Sequence, residues 1–216
     1  MALKLKGSTS GFTAIDAPAT AGDNTLVLPA NNGSASQFLQ TNGSGVLSWA
    51  TVTDTDTTGW TWDTTGDTLT SQSSVSVTGI PSDATQIIVA VRDMSAVNDI
   101  NPILQAGTSS GLDTTNYESV GFYVGNGSTG ASYYGNGWRT WGGAAGSYVF
   151  NGFYHLTKLN GNNWYCNARL SIQASFTNSF FVAGHVELGG TLDRVAILPE
   201  TGSFDSGTVF VHYFTP

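Results

Sequence analysis

A strict alternation of apolar and polar positions from residue 164 to residue 172 constrains the fold of this chain more than any other feature. Trp164, Cys166, Ala168, Leu170 and Ile172 fall on one face of the alternation, and Tyr165, Asn167, Arg169 and Ser171 fall on the other. A repeat of two residues is typical of a β-strand with one buried face and one wet face. The same repeat recurs at residues 87–92, 148–159, 180–188, 192–198 and 208–214, and more weakly at 74–77, 103–106, 119–124 and 132–134.

These segments predict an all-β fold, in which about eight to ten strands form an antiparallel β-sandwich of the jelly-roll type. Composition favours the same class. The chain has 27 glycines among 216 residues, and glycine costs about 1 kcal/mol relative to alanine inside a helix. No stretch carries the 3.6-residue repeat of an amphipathic helix.

Charge and cysteine content exclude several function classes. The net charge is −8 with only seven lysines and arginines, which argues against nucleic-acid binding, because that needs clustered positive charge. No apolar run approaches the roughly 18 residues of a membrane span, and the first residues lack the apolar core of a secretory signal. Cys166 is the only cysteine, so an intrachain disulfide and a thiolate metal cage are both excluded.

Residues 1–55 follow a different pattern from the rest. Short apolar islands alternate there with Gly, Pro, Asn and Ser, and none is long enough to make a stable sheet alone. The segment is therefore either disordered or buried against copies of itself, and its low charge and aromatic islands favour burial. We predict a trimerisation and docking segment at 1–55 and a head domain at 56–216. The residues expected at the trimer or docking interface are Leu3, Leu5, Phe12, Leu26, Leu28, Phe38, Leu39 and Trp49.

Three short motifs imitate functional loops. Residues 125–130 match GxGxxG, but an aromatic strand follows in place of the helix that a dinucleotide site needs. Residues 107–111 match GxSxG without the helix of a nucleophile elbow. Residues 54–59 begin like a calcium loop, but the twelfth position is Thr65 instead of glutamate. We interpret the first as a turn, the second as a loop and the third as a linker.

No catalytic residue, cofactor or metal site is predicted, and the protein is not expected to be an enzyme. Glu118, Glu187 and Glu200 are the only glutamates, and the sequence marks no pair of them for glycoside hydrolysis, which needs two carboxyl groups about 5–10 Å apart. The histidines are expected on strand faces, and Cys166 in the core. A weak oxygen-ligand site among Asp63, Asp67, Asp93 and Asp99 is left open.

Four aromatic residues are candidates for contact with glycans. Tyr133, Tyr134, Trp138 and Trp141 lie in a glycine-rich region. Exposed aromatic rings stack on sugar rings and lose little conformational entropy on binding. The alternative is that these rings complete the sandwich core or line a subunit contact, because tryptophan is usually mostly buried.

Three segments resemble a known group of proteins. Residues 37–49, QFLQTNGSGVLSW, resemble an element of fibre and surface proteins of tailed phages, especially phages of cyanobacteria and marine bacteria. Residues 80–89, IPSDATQIIV, are similar to a strand entry in those proteins, and residues 202–213 to the last strand pair of their β-sandwich tips. The resemblance implies a homotrimeric virion protein with an intertwined N-terminal β-stem and three sandwich heads.

Two functions are compatible with this resemblance. The first is a trimeric capsid decoration protein, of the cement or head-fibre kind, that binds the major capsid protein on the outside of the phage particle and contacts the host surface. The alternative is the distal module of a short tail fibre or tailspike that binds host surface polysaccharide. If Met1 is the natural start, there is no room before the trimer segment for a large tail-docking module. Lys4 and Lys6 also provide a basic foot, which suits a negatively charged shell. We therefore expect capsid decoration after synthesis in the host cytoplasm, with no membrane partner.

Overall fold

A computed structural model describes the chain except for residues 1–2, 17, 21, 52–57, 99–100, 126, 141–147 and 174–177. The described residues form strands and turns without a helix, so the predicted all-β class is confirmed. No helix long and apolar enough to cross a membrane occurs among them. The chain divides into two compact units, Met1–Asp56 and Thr57–Pro216.

The first unit consists of two small antiparallel hairpins. One pairs β1 (Leu3–Lys6) with β2 (Phe12–Ile15), and the other pairs β3 (Gln37–Thr41) with β4 (Leu47–Thr51). A parallel bridge joins Val27 to Val46. The turn before β4 forms because the Asn42 side-chain oxygen accepts the backbone N–H groups of Ser44 and Val46 at 2.9 and 3.2 Å.

The second unit contains the longer strands and two antiparallel sheets. In chain order its strands are β5 (Gly59–Thr61), β6 (Asp67–Thr68), β7 (Val75–Thr78), β8 (Gln86–Ala96), β9 (Ile103–Thr108), β10 (Gly111–Leu112), β11 (Tyr117–Gly125), β12 (Ser128–Tyr134), β13 (Trp138–Arg139), β14 (Val149–Asn160), β15 (Asn163–Gln173), β16 (Asn178–Glu187), β17 (Arg194–Leu198) and β18 (Phe204–Thr215). The large sheet has the order β12-β11-β16-β15-β14-β8-β18-β5, with β6 also paired to β18. The small sheet has the order β10-β9-β17-β7, with β13 paired to β9.

All ten predicted strand segments coincide with strands of this unit. The prediction for residues 164–172 holds residue by residue, since the five apolar positions of β15 are buried and the intervening positions are exposed. Four further strands, β5, β6, β10 and β13, were not predicted. Each has only two or three residues, which is too short for a repeat of two to be read.

One hydrophobic core takes side chains from both sheets. Tyr154, Leu156, Trp164 and Val182 enter it from the large sheet, and Leu104 enters from the small sheet. Full burial of a Leu or Phe side chain contributes about 1.5–3 kcal/mol. Cys166 is fully buried in this core, as predicted, and burial raises the pKa of its thiol well above the usual range.

Tyr117 ties the two sheets together through its hydroxyl group. The hydroxyl of this β11 residue accepts the backbone N–H of Ala106 on β9 at 2.7 Å and donates to the Ala106 carbonyl at 3.2 Å. The tyrosine is 2% exposed, so neither partner has ready access to water. Burial raises the pKa of Tyr117, which keeps the hydroxyl neutral and able to donate.

We predict that Tyr117→Phe lowers the free energy of unfolding by about 1–3 kcal/mol, because it leaves a buried backbone N–H without this partner. Urea denaturation measures the loss. Tyr133→Phe is the matched control, since the Tyr133 ring is 63% exposed and its hydroxyl bond to the Tyr117 carbonyl is long, at 3.3 Å. Equal effects of the two substitutions would contradict the inter-sheet role of Tyr117.

Candidate functional site

The first unit has no core of its own among its described residues. None of the residues described between 3 and 51 is buried. Seven of the eight residues predicted at a trimer or docking interface are exposed, and the eighth, Trp49, is half-buried. Leu28, for example, is 69% exposed and Phe38 is 44% exposed. Strands with this many open apolar side chains gain little from their own hairpin contacts.

Trp49 packs on a turn instead of in a core. Its indole N–H donates to the Asn31 carbonyl at 2.8 Å. Gly33 lies under the ring with φ of +68°, and a Cβ there would lie 2.6 Å from the indole. Glycine is therefore required at this position both for its backbone conformation and for space.

The β1–β2 hairpin combines apolar and basic groups. Lys6 is opposite Phe12 in the register, and Leu5 is opposite Thr13. The ammonium group of Lys4 lies 4.5 Å from the centroid of the Phe12 ring, which is a cation–π distance. Leu3, Leu5 and Phe12 are each more than half exposed. The hairpin thus exposes apolar side chains and positively charged side chains on the same small surface.

The structure separates the four glycan candidates. Trp138 is fully buried, donates its indole N–H to the Gly184 carbonyl at 3.1 Å, and packs edge-on against Tyr117. The Trp138 ring therefore belongs to the core, as the alternative interpretation has it, and it is not accessible to a sugar. Tyr134 is half-buried, with the Arg139 guanidinium over its ring at 4.5 Å. Trp141 lies outside the described residues.

Tyr133 is the open aromatic ring among the described members of this set, and it borders a groove. The ring is 63% exposed. The groove has a volume of about 580 Å³ and is open to solvent. Its wall contains Glu118, His185 and Glu187 beside the tyrosine, and its ends are formed by polar residues of the β10–β11 loop and by the residues after β16.

Strand pairing brings these groove residues together. Glu118 on β11 is opposite His185 on β16, and the His185 Nε2 atom lies 3.8 Å from a Glu118 carboxylate oxygen. Glu187 is two residues further along β16. An aromatic face beside carboxylates suits a ligand with several hydroxyl groups, since carboxylate oxygens accept hydrogen bonds from hydroxyls. Sequence reasoning noted both glutamates but could not place them side by side, because the β11–β16 pairing links residues about 70 positions apart in the chain.

His212 and Asp63 form a structural contact instead of a reactive pair. The Asp63 backbone N–H donates to His212 Nδ1 at 3.0 Å. Burial lowers the pKa of His212, with the Asp63 carboxylate acting in the opposite direction. Burial also opposes ionisation of Asp63, but hydrogen bonds from the backbone N–H groups of Gly66, Thr65 and Val211 outweigh it and lower the pKa of that carboxyl. These bonds hold the turn between β5 and β6 against β18.

The loop motifs are resolved in part. Gly125 and Ser128 pair at the end of the β11–β12 hairpin, and residue 126 between them lies outside the described part. Residues 107–111 join β9 to β10 in a second antiparallel hairpin, so this motif is a loop, as predicted. Residues 54–57 and Asp99 lie outside the described part. Within the described part, no group of three His, Cys, Asp or Glu residues is placed to hold a metal ion.

Comparison of the chain with protein-family models, with curated proteins and with solved structures gives no match. Two features of the described residues thus carry the functional argument. One is the set of open apolar side chains in the first unit. The other is the Tyr133 groove in the second unit.

Proposed function

We propose that this protein is a homotrimeric structural protein of a tailed-phage particle, which decorates the outside of the head and reinforces the capsid. The observation that carries the proposal is the absence of any buried residue in the described part of the first unit, together with its exposed leucines and phenylalanines. The resemblance of residues 37–49 to phage fibre and surface proteins supports the same assignment.

A threefold stem would bury the exposed apolar side chains of the first unit and would pair its open strand edges. Three intertwined copies bring Leu26, Phe38 and Trp49 from each chain to a common axis, where their apolar area leaves water. The same arrangement pairs the open edges of strands only four or five residues long, which otherwise invite uncontrolled association. The second unit, with its two antiparallel sheets around one core, then forms three heads of the jelly-roll type.

The β1–β2 hairpin is the proposed docking foot on the major capsid protein. Its exposed Leu3, Leu5 and Phe12 supply apolar area, and Lys4 and Lys6 supply positive charge in a chain of net charge −8. Positive groups steer the foot toward a negative shell surface while the acidic remainder is repelled. Each trimer then bridges neighbouring capsid subunits, and the added contacts oppose expansion by packaged DNA.

We expect the purified full chain to sediment as a trimer at micromolar concentration. Phe38→Asp should weaken assembly at least about tenfold, because losing the burial of one phenylalanine costs about 1.5–3 kcal/mol and a factor of ten corresponds to about 1.4 kcal/mol. Val97→Asp is the control, since Val97 is a 65% exposed apolar residue of the second unit. A folded monomer at this concentration, or equal assembly of both variants, would contradict the stem.

The reinforcing role predicts that phage particles lacking this protein release their genome at a lower temperature than complete particles. The measurement is the fluorescence of a DNA-binding dye as particles are heated, with and without added trimer. Restoration of the higher temperature by the wild-type chain, but not by a Leu5→Asp, Phe12→Asp variant of the foot, would support docking through β1 and β2. Equal release temperatures for all particles would remove the reinforcing role.

A second candidate function is recognition of host surface polysaccharide, as in the tip of a short tail fibre or tailspike. It is favoured by the Tyr133 groove, where an open aromatic ring lies beside Glu118, His185 and Glu187. Two carboxylates in the wall favour neutral or amino sugars over acidic sugars, because like charges repel.

For this second function, Tyr133→Ala should weaken binding of a neutral host polysaccharide at least about tenfold, since loss of an aromatic contact costs on the order of 1–2 kcal/mol. Trp62→Ala is the control, because Trp62 is also an open ring, 59% exposed, but follows β5 at the opposite edge of the large sheet. Binding is measured on immobilised host polysaccharide with the intact assembly. Absence of binding by the wild-type protein, or equal losses in both variants, would retire the glycan function.

A further inference from the structure

The outer face of the large sheet carries a row of aromatic residues that the core does not use. Antiparallel register places Phe122, Phe181, Arg169, Phe153, Ala90 and Phe210 side by side, one from each of β11, β16, β15, β14, β8 and β18. We call these six residues the phenylalanine row. The neighbouring positions along each strand point the other way, into the core, as Val182 and Tyr154 do.

Neighbouring side chains of the row contact one another. The rings of Phe122 and Phe181 stack with centroids 5.0 Å apart and planes 12° from parallel. The Arg169 guanidinium lies 5.7 Å from the centroid of Phe181. Phe153 remains 43% exposed. An antiparallel sheet face that stays in water is normally polar, so four phenylalanines in one row indicate a face that is covered in the working protein.

Charge indicates which molecule covers this face. The chain has 15 acidic residues, yet none lies in the phenylalanine row. The adjacent row across the same strands consists of Val120, Ala183, Asn167, His155, Ile88 and His212, and it also lacks a carboxylate. Two copies of an acidic head repel each other over most orientations. These two rows are where they approach with little repulsion, with Glu118 in the next row along β11, and Arg169 and Asn167 supply donors for polar contacts.

The size of the two rows fits a supplementary contact between copies. Neighbouring rows on one face are about 7 Å apart along the strands, so two rows across six strands spaced about 4.8 Å apart cover roughly 13 by 30 Å, or about 400 Å². A stable protein interface takes about 800 Å² from each partner. The two rows therefore add a second contact between heads to that of the stem and do not replace it.

We propose that the phenylalanine row and its neighbouring row form the contact between heads of adjacent copies of this chain. The inference rests on the proposed homotrimer and adds to it, because it assigns a specific sheet face to the head contact. The heads then are held to one another directly, and not only through the first unit.

Thiol labelling of the full chain tests this contact. Asn167 is exposed at the centre of the face, and Asn167→Cys places a thiol there. Ser110→Cys in the exposed turn before β10 is the matched control. Cys166 is buried with a raised pKa, so labelling of the wild-type chain gives the background rate. We expect a bulky maleimide to label the native Asn167→Cys assembly at least about tenfold more slowly than Ser110→Cys, each rate being normalised to the same variant in denaturant.

A second variant separates the head contact from the stem. Adding Phe153→Lys to Asn167→Cys should restore fast labelling while sedimentation still reports a trimer, whereas adding Val97→Lys should leave labelling slow. A trimer in which Asn167→Cys reacts as fast as Ser110→Cys overturns the head contact and leaves the stem standing. Protection that arises only on adding host polysaccharide also overturns it, because a glycan is then the occupant. A wild-type monomer overturns both the stem and the head contact.

Discussion

Hydrophobic contact between the inner faces of the two sheets is the interaction on which the head depends. Strands alternate their side chains between two faces, so each inward Leu, Phe or Trp that joins this contact commits the next residue to the outside. The contact fixes which residues of β11 and β16 point outward, and with them the positions of Tyr133, Glu118 and the phenylalanine row. The Tyr117 hydroxyl then holds β11 to β9, which limits sliding of one sheet over the other.

The parts of the fold that are local in sequence were predictable. The alternation in β15 and nine similar segments correspond to strands because each strand carries its own repeat. The sequence leaves Trp138 open between a surface ring and a core ring, because its glycine-rich neighbourhood suggests an open loop while tryptophan is usually buried. Tertiary packing places it in the core. The groove and the phenylalanine row arise from pairings between distant strands, and a single sequence carries no direct signal of register.

The two units differ in how far they bury their apolar side chains within a single chain. The head buries its inner apolar faces within one chain, while the described part of the first unit buries nothing. In the proposed trimer this division is useful, because each head is a stable body of its own and the stem forms only when chains meet. In that proposed assembly, a stem that is ordered only when three chains meet would tie the availability of the proposed docking foot to correct oligomerisation.

The position of β18 has a consequence for the order of events during synthesis. This strand lies between β8 and β5, so the first strand of the head pairs with one that leaves the ribosome more than 140 residues later. Closing so long a loop is slow, and the inner faces of β8 and β14 stay exposed while the nascent chain waits. The exposed inner faces of unfinished chains can associate with one another, so premature association is the hazard that this topology creates until β18 has been synthesised.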